Sequence, residues 1–464
     1  MYEKGALAIY LETGLGKTAA GATGIAQLMD AGLVTRALVL APPRVAAVTW
    51  WLELRKWAHL AHLRVIPVTG NAEERLRLLA TPGPAIFCLS LNLASWLVAV
   101  AAQVRRFELV YVDESSFIKS PSAKVTRAAV SIARGARFRF VASGTPRPQG
   151  LHELWSQIYL LDGGQRLGKS YGAFLGRWFY RAGPYRLAAR PGAAQEIEAK
   201  LADIVRTARS EDYIDLPPLV RNVVEVPLTA ASRVLYDELE GGIVRSLADG
   251  STKAVASASS AFNKCAQVVG GHLYDGLGSW QSVGSEKLDA LEAIVAEAGE
   301  PVLIFYRFVA ERERILERIP GAVHFDAKSP RELRETLEKW RAGETAALVA
   351  HVRSVGHGVD GLQSARHLVW FGLPLGSVEA MMQAEARLHR QGATGPTIVH
   401  ELRTPDSIDE PIAKALFARK AGQDAFMAAL ADYLGTRHPE HAAELPRLLA
   451  NFKPLQEDID GTDH

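Results

Sequence analysis

The amino-acid sequence predicts an α/β fold made of two parallel-sheet domains. Three observations predict it. Short apolar runs alternate with helical patterns through the first two hundred residues, the alternation resumes after residue 285, and a Pro-Pro break lies between the two stretches. Strands that read as continuous apolar runs, separated by helices, belong to a sheet covered on both faces.

The elements follow in order. Ala6 to Leu11 runs into Glu12-Thr13-Gly14-Leu15-Gly16-Lys17-Thr18, and Ala19 to Met29 reads as the helix leaving that turn. Ala37 to Ala41, closed by Pro42-Pro43, is a buried strand, followed by a helix with Trp50, Trp51, Leu54 and Trp57. Ala85 to Ser90, Leu109 to Val112 and Phe138 to Ala142 are further strands, with Ala72 to Leu79 and Lys124 to Arg134 as helices. Residues 163 to 190 are rich in Gly, Arg and aromatics, and Asp215-Leu216-Pro217-Pro218-Leu219 then breaks any regular element and reads as the linker region. Ala230 to Leu247 and Ala254 to Val269 are helical patterns. Glu286 to Ala298 places Leu288, Leu291, Ile294 and Val295 on one helical face. Strands are expected at Val302 to Tyr306, Ala346 to Ala350, His367 to Phe371 and Thr397 to Leu402, then a closing helical region from Ile412 to Leu434 and a loose acidic tail after Gln456.

Composition narrows the function classes. With 464 residues, 48% hydrophobic and 22% charged, the chain can bury two or three substantial cores. Lys plus Arg number 53 against 51 Asp plus Glu, so binding to a polyanion must come from local patches rather than net charge. Cys88 and Cys265 are in apolar surroundings and outside any metal-ligand spacing, which reads as buried thiols in a reducing cytoplasm. No signal peptide and no membrane-spanning apolar run are readable, so the expected location is cytoplasmic.

The turn after the first strand carries the clearest chemistry. Gly14 and Gly16 let backbone N–H groups face phosphate oxygens, and the following helix adds the positive end of its dipole. Lys17 would reach the β- and γ-phosphates of ATP, and the Thr18 hydroxyl would ligate Mg²⁺. Leu11 stands where the usual first glycine of the pattern lies, and an ordinary glycine turn is the bland alternative. Val110-Tyr111-Val112-Asp113-Glu114 is an apolar strand ending in two carboxylates at the edge where such sheets hold ligands. Asp113 would hold Mg²⁺ through its water shell, and Glu114 would orient and deprotonate the attacking water. Ser143-Gly144-Thr145-Pro146 ends the next strand; Ser143 and Thr145 are candidates for coupling this site to neighbouring loops, and a plain turn explains the same residues. Far along the chain, Gln383, Arg387 and Arg390 share one stripe if the segment is helical. It is either a solvated face or a pair of arginine fingers for a γ-phosphate. His59 and His62 suggest no metal site.

Together, Gly-Leu-Gly-Lys-Thr, Asp113-Glu114-Ser115-Ser116, Ser143 to Pro146 and Gln383 to Gly392 resemble the superfamily-two helicase-like ATPases, specifically the Swi/Snf-type DNA translocases in their compact phage and bacterial forms. Leu38 to Trp57 resembles motif Ia, Leu151 to Asp162 the segment after motif III, Val302 to Phe308 motif IV and Ser354 to Gln363 motif V. The resemblance implies two RecA-like domains with a nucleotide cleft between them. These would be residues 1–205, a linker and helical insertion over 206–284, a second domain over 285–435 and a tail over 436–464. It implies ATP and Mg²⁺ as cofactors, double-stranded DNA as partner and ATP hydrolysis driving movement along it. Rival expectations are a strand-separating DNA or RNA helicase and an ATP-gated nucleic-acid-binding module with little turnover. Lys17 and Thr18 would bind phosphate and Mg²⁺, Asp113 and Glu114 would be the motif II acids, and Gln383, Arg387 and Arg390 would complete the site. Arg44, Asn92, His357 and Gly358 would touch nucleic acid, and Arg177, Arg181, Arg186 and Arg190 are either a basic track or solvated surface. The chain departs from the family at Ser116, where many relatives have His, at Gly361 and at Ala393. The family places an adenine-contacting glutamine motif ahead of the position of Tyr2, so no residue here is assigned to the base.

Overall fold

The computed structural model describes residues 5–12, 14–144, 146, 150–181, 187–209, 212–213, 215–249, 252–275, 278–325, 330–355, 361–374, 378–393, 395–417, 423–449 and 452. The chain forms two compact units, Met1–Asp215 and Leu216–His464.

In the first unit, strands β1 (Ala6–Leu11), β2 (Arg36–Ala41), β3 (Val65–Pro67), β4 (Ala85–Ser90), β5 (Leu109–Asp113) and β6 (Phe138–Ser143) join the later β9 (Val205–Ala208) in a parallel sheet ordered β3-β4-β2-β5-β6-β1-β9. The intervening helices are α1 (Lys17–Asp30), α2 (Trp50–Arg55), α3 (Ala72–Leu79), α4 (Ala94–Ala99), α5 (Lys124–Arg134) and α6 (Leu154–Asp162). Side chains two apart along a strand share a face. Leu38, Leu40, Phe87, Leu89, Val110 and Val112 therefore pack with Ala129 of α5 and Ile158 of α6. Their neighbours Val39, Ile86, Cys88, Leu109 and Tyr111 pack on the opposite face with Ala22, Ile25 and Leu28 of α1 and Trp50 of α2.

One close approach fixes α1 on the sheet. A Cβ at Gly21 would lie 2.6 Å from the Tyr111 ring, so only glycine lets the helix seat against β5 here. Trp50 meets the same ring edge-on, with centroids 5.3 Å apart.

Residues 163 to 190, rich in Gly, Arg and aromatics, contain α7 (Tyr171–Trp178) and an antiparallel pair, β7 (Phe179–Arg181) with β8 (Leu187–Ala189). Phe174, Trp178 and Phe179, among the aromatics of this stretch, are buried and anchor it. α8 (Ala193–Leu201) then leads to β9, which pairs with β1.

The second unit opens with β10 (Leu219–Glu225) and continues through α9 (Ala230–Asp249), α10 (Thr252–Val269) and the antiparallel pair β11 (His272–Tyr274) and β12 (Trp280–Ser282). Next come α11 (Glu286–Ala298), β13 (Val302–Tyr306), α12 (Val309–Arg318), β14 (Ala322–His324), α13 (Pro330–Arg341) and β15 (Ala347–His351). The chain proceeds through α14 (Val352–Val355), β16 (His367–Trp370), α15 (Val378–Leu388), β17 (Thr397–Arg403), α16 (Asp409–Phe417) and α17 (Gln423–Arg437). The parallel sheet is ordered β10-β17-β16-β13-β15-β14. A buried ion pair at 2.7 Å, Lys287 with Asp409, pins α11 to α16. Both cysteines are buried free thiols, and among the described residues no helix is long and apolar enough to cross a membrane.

Two tests follow from this packing. Gly21→Ala should destabilise the first unit by about 1–3 kcal/mol, the usual cost of overpacking, and Tyr111→Leu in the same chain should give a less than additive loss in thermal unfolding. In the second unit, burial pushes His272 down to about 3, helped by Arg314 and Arg307, and pushes His400 down to about 4, helped by His367. In the unfolded chain both titrate near their ordinary value, so below that pH the unfolded state binds more protons and stability falls as the pH is lowered towards 4. Melting profiles against pH should show this decline, and His272→Phe should flatten part of it.

Candidate active site

The parallel register puts three sequence-predicted features side by side. Tyr10 of β1 pairs with Ser143 of β6, and Asp113 of β5 pairs with Ala142 of β6. The glycine turn, Ser143 and the acid pair thus leave three adjacent strand ends, at a strand spacing of about 4.8 Å. Arg44 follows β2, and Asn92 follows β4, on the same carboxyl edge. Thr145, His357, Gly358 and Arg186 lie outside the described residues.

The turn has the backbone that glycine permits. Gly14 has φ 97° and Gly16 has φ 72°, and Gly16 caps α1 with no side chain over the helix end. Lys17 is the first residue of α1, Thr18 the second, and both are half-buried. The Lys17 ammonium donates to the Leu11 carbonyl at 3.1 Å, and the Glu12 N–H donates to the Ala208 carbonyl at 3.2 Å, which ties the turn to β9.

Asp113 is buried, and Trp50 Nε1–H donates to its Oδ2 at 2.8 Å. Burial pushes its carboxyl up to about 6, the Trp50 hydrogen bond opposing and the Glu114 charge adding to the rise; the Lys17 ammonium also opposes it. A carboxylate in that setting gains more from a cation than a solvated one does. Trp50 reads in the sequence as one more apolar helix residue. The available signal was its indole N–H, a donor that needs an acceptor once the ring is buried.

Glu114 has φ 66° and ψ 66°, a left-handed conformation that costs a side-chain-bearing residue about 1–3 kcal/mol. Its Oε1 accepts from Ser116 at 3.0 Å and from Ser143 at 2.5 Å. Ser116, the departure from the family pattern, therefore turns back onto the neighbouring acid, and Ser143 joins the acid loop to the end of β6. Gln157 of α6, inside the Leu151 to Asp162 segment but given no role from the sequence, is fully buried beside this loop and accepts from Ser115 at 2.6 Å.

In the second unit, Gln383 is buried on α15 and Arg387 lies half-buried near its end. The helix stops at Leu388, so Arg390 sits in the following turn rather than one helical turn further along a continuous stripe. Glu385 fixes this helix: Arg221 of β10 grips it at 3.0 and 2.7 Å, and Trp370 Nε1–H donates to it at 3.2 Å. His389 donates through Nε2 to the Pro217 carbonyl at 2.7 Å.

The remaining cations divide. Arg177 pairs with Glu196, and Arg190 donates to the Phe179 carbonyl at 3.2 Å, while Arg181 is exposed on β7. His59 lies 2.9 Å from the Thr23 hydroxyl, and His62 lies 3.3 Å from Asp30.

Residues 5–270 match the SNF2-related domain and residues 286–392 the helicase conserved C-terminal domain. Protein p41 of Acyrthosiphon pisum secondary endosymbiont phage 1 is 33% identical over 440 residues, 91% of this chain and 94% of its own. An ATP-dependent helicase of Mycoplasma genitalium is 23% identical over 86% of this chain, which spans only 38% of that protein. The Sulfolobus solfataricus SWI2/SNF2 ATPase core in complex with dsDNA is 22% identical, with a TM-score of 0.41, covering 97% of this chain and 93% of that one. The chain belongs to the SNF2-related ATPases, ATP hydrolases in which an SNF2-related domain is followed by a helicase conserved C-terminal domain.

Proposed function

We propose that this ATPase uses hydrolysis to move along double-stranded DNA. The observation that carries the reading is the convergence of the glycine turn, the acid pair and Ser143 on three adjacent strand ends in a chain of this family. Phosphoryl transfer needs positioning and charge stabilisation rather than covalent help, and the residues at that edge are of those types.

Lys17, which donates to the Leu11 carbonyl in the structure, would exchange that acceptor for β- and γ-phosphate oxygens. Thr18 and Asp113 fit Mg²⁺: one hydroxyl and one buried carboxylate suit an ion that keeps most of its waters and takes the rest of its ligands from phosphate. The ion would neutralise charge between the β- and γ-phosphates. Glu114, held by Ser116 and Ser143, would orient the attacking water and accept its proton.

Gln383, Arg387 and Arg390 would meet the γ-phosphate from the second domain across the nucleotide cleft. Hydrolysis would then depend on closure of the domains, and closure on DNA. Arg44 and Asn92, on the same sheet edge as the acids, would contact DNA phosphates, as would His357 and Gly358, with Ser143 and Thr145 relaying that contact; none of these reads base sequence. Location in the cytoplasm of a bacterial or phage-infected cell is part of the same reading.

The test is ATP turnover measured without nucleic acid and with single-stranded DNA, duplex DNA and RNA at one stated salt concentration. Duplex DNA should stimulate most, and a triplex-displacement assay should report movement where a strand-displacement assay reports none. Stimulation by single strands with strand displacement would favour an unwinding helicase, and negligible turnover with every nucleic acid would favour a gated binding module. Lys17→Ala and Glu114→Gln should each lower turnover by about 100-fold or more. Arg390→Ala should bind ATP normally and lose about 1,000-fold in turnover, the scale of an arginine finger.

A further inference from the structure

Gln157 uses every hydrogen-bonding place its amide has. Its Oε1 accepts from the Ser115 hydroxyl at 2.6 Å and the Tyr10 hydroxyl at 3.2 Å. Its Nε2 donates to the Pro146 carbonyl at 2.6 Å and the Glu153 carbonyl at 3.1 Å. A primary amide offers two acceptor lone pairs and two N–H donors, so none is left over. The orientation is also determined. Turning the amide over would point its oxygen at two carbonyl oxygens, which can only accept.

The partners belong to separate parts of the site. Tyr10 is the penultimate residue of β1, just ahead of the glycine turn. Ser115 immediately follows Glu114, and Pro146 lies three positions after Ser143. Glu153 lies one helical turn back from Gln157 and anchors the amide to its own element.

We infer that Gln157 is a positioning residue that holds Glu114 in its working conformation by fastening β1, the acid loop and the Ser143 turn to a single buried point. The inference rests on the reading of Glu114 as the group that orients water. Glu114 has a strained left-handed backbone, which persists only where its surroundings over-determine it. Ser116 and Ser143 hold the carboxylate, and the Phe117 N–H donates to the Glu114 carbonyl at 3.2 Å. The grip on Ser115 adds a buried side-chain hold on the residue immediately after Glu114. A leucine at 157 would fill similar space but leave the Ser115 and Tyr10 hydroxyls and the Pro146 carbonyl without their buried partner.

The experiment uses the full chain and compares Gln157→Leu, Ser115→Ala and Glu114→Gln with the parent in three measurements: DNA-stimulated turnover with kcat and KM for ATP separated, ATP-analogue binding, and melting temperature. Ser115→Ala removes one hydroxyl and leaves the amide in place, so it keeps the test open should Gln157→Leu fold poorly. The expected result is a fall in kcat of about tenfold or more in both, since misplacement by an ångström can cost a hundredfold. KM and analogue affinity should stay within about threefold, and Ser115→Ala should melt close to the parent. Parental kcat in folded Gln157→Leu and Ser115→Ala, with Glu114→Gln inactive, would overturn the positioning role alone. Loss of kcat, binding and melting temperature together in both variants would make Gln157 a packing residue and overturn it as well. Parental turnover in Glu114→Gln would instead remove the reading of the site on which the inference stands.

Discussion

Every feature of the candidate site in the first unit depends on one constraint: the strands of its sheet are parallel and covered on both faces. Side chains from α1 and α2 close one face and those from α5 and α6 the other. The site's carboxylates and glycine turn then lie where strands end. Parallel direction brings all the carboxyl ends to the same edge, and the order β2-β5-β6-β1 sets which loops are neighbours. The glycine turn, Arg44, the acid pair and Ser143 span 131 positions of sequence, from Glu12 to Ser143, yet share that edge because of strand order.

Polar burial at this edge is costly, and the molecule offsets it locally. Asp113 gives up solvent but gains the Trp50 indole, and Trp50 is itself braced by Tyr111, for which α1 leaves room at Gly21. Glu114 accepts two serine hydroxyls while its backbone stays strained. Removing one partner from such a network leaves another polar atom buried without a hydrogen bond, which costs more than the bond itself contributed. Packing and chemistry are therefore linked from the sheet interior to the acid pair.

Much of this was legible in the chain. Val302 to Tyr306, Glu286 to Ala298, Ala72 to Leu79 and Lys124 to Arg134 have the bounds their periodicity indicates, because long apolar runs and amphipathic faces leave little choice of structure. Lys17 and Asp113 were findable because glycine turns and strand-end carboxylates carry local signatures. β9 and β10 were not, since edge strands are short or exposed and their pairing is decided by distant β1 and β17. Trp50 and Gln157 escaped for a related reason. Their roles are set by what lies 63 and 42 residues away, at Asp113 and Ser115, and no local pattern records such a partner. Arg390 shows the limit of periodicity: spacing gave a stripe, while the helix ends two residues short of it.

The prolines after the first unit have a mechanical consequence. The Pro217 carbonyl is held by His389 and the Pro218 carbonyl by the Thr397 N–H, so the second unit clamps the chain as soon as it arrives. Ala208 is paired with Leu11 in the first sheet. Between those anchored points run nine Cα-to-Cα steps, 217 minus 208, which at 3.3–3.6 Å each stretch to about 32 Å at most. That length is the covalent upper limit on the separation of the Ala208 and Pro217 Cα atoms, and the far end of the span is held by the imidazole next to Leu388 and Arg390.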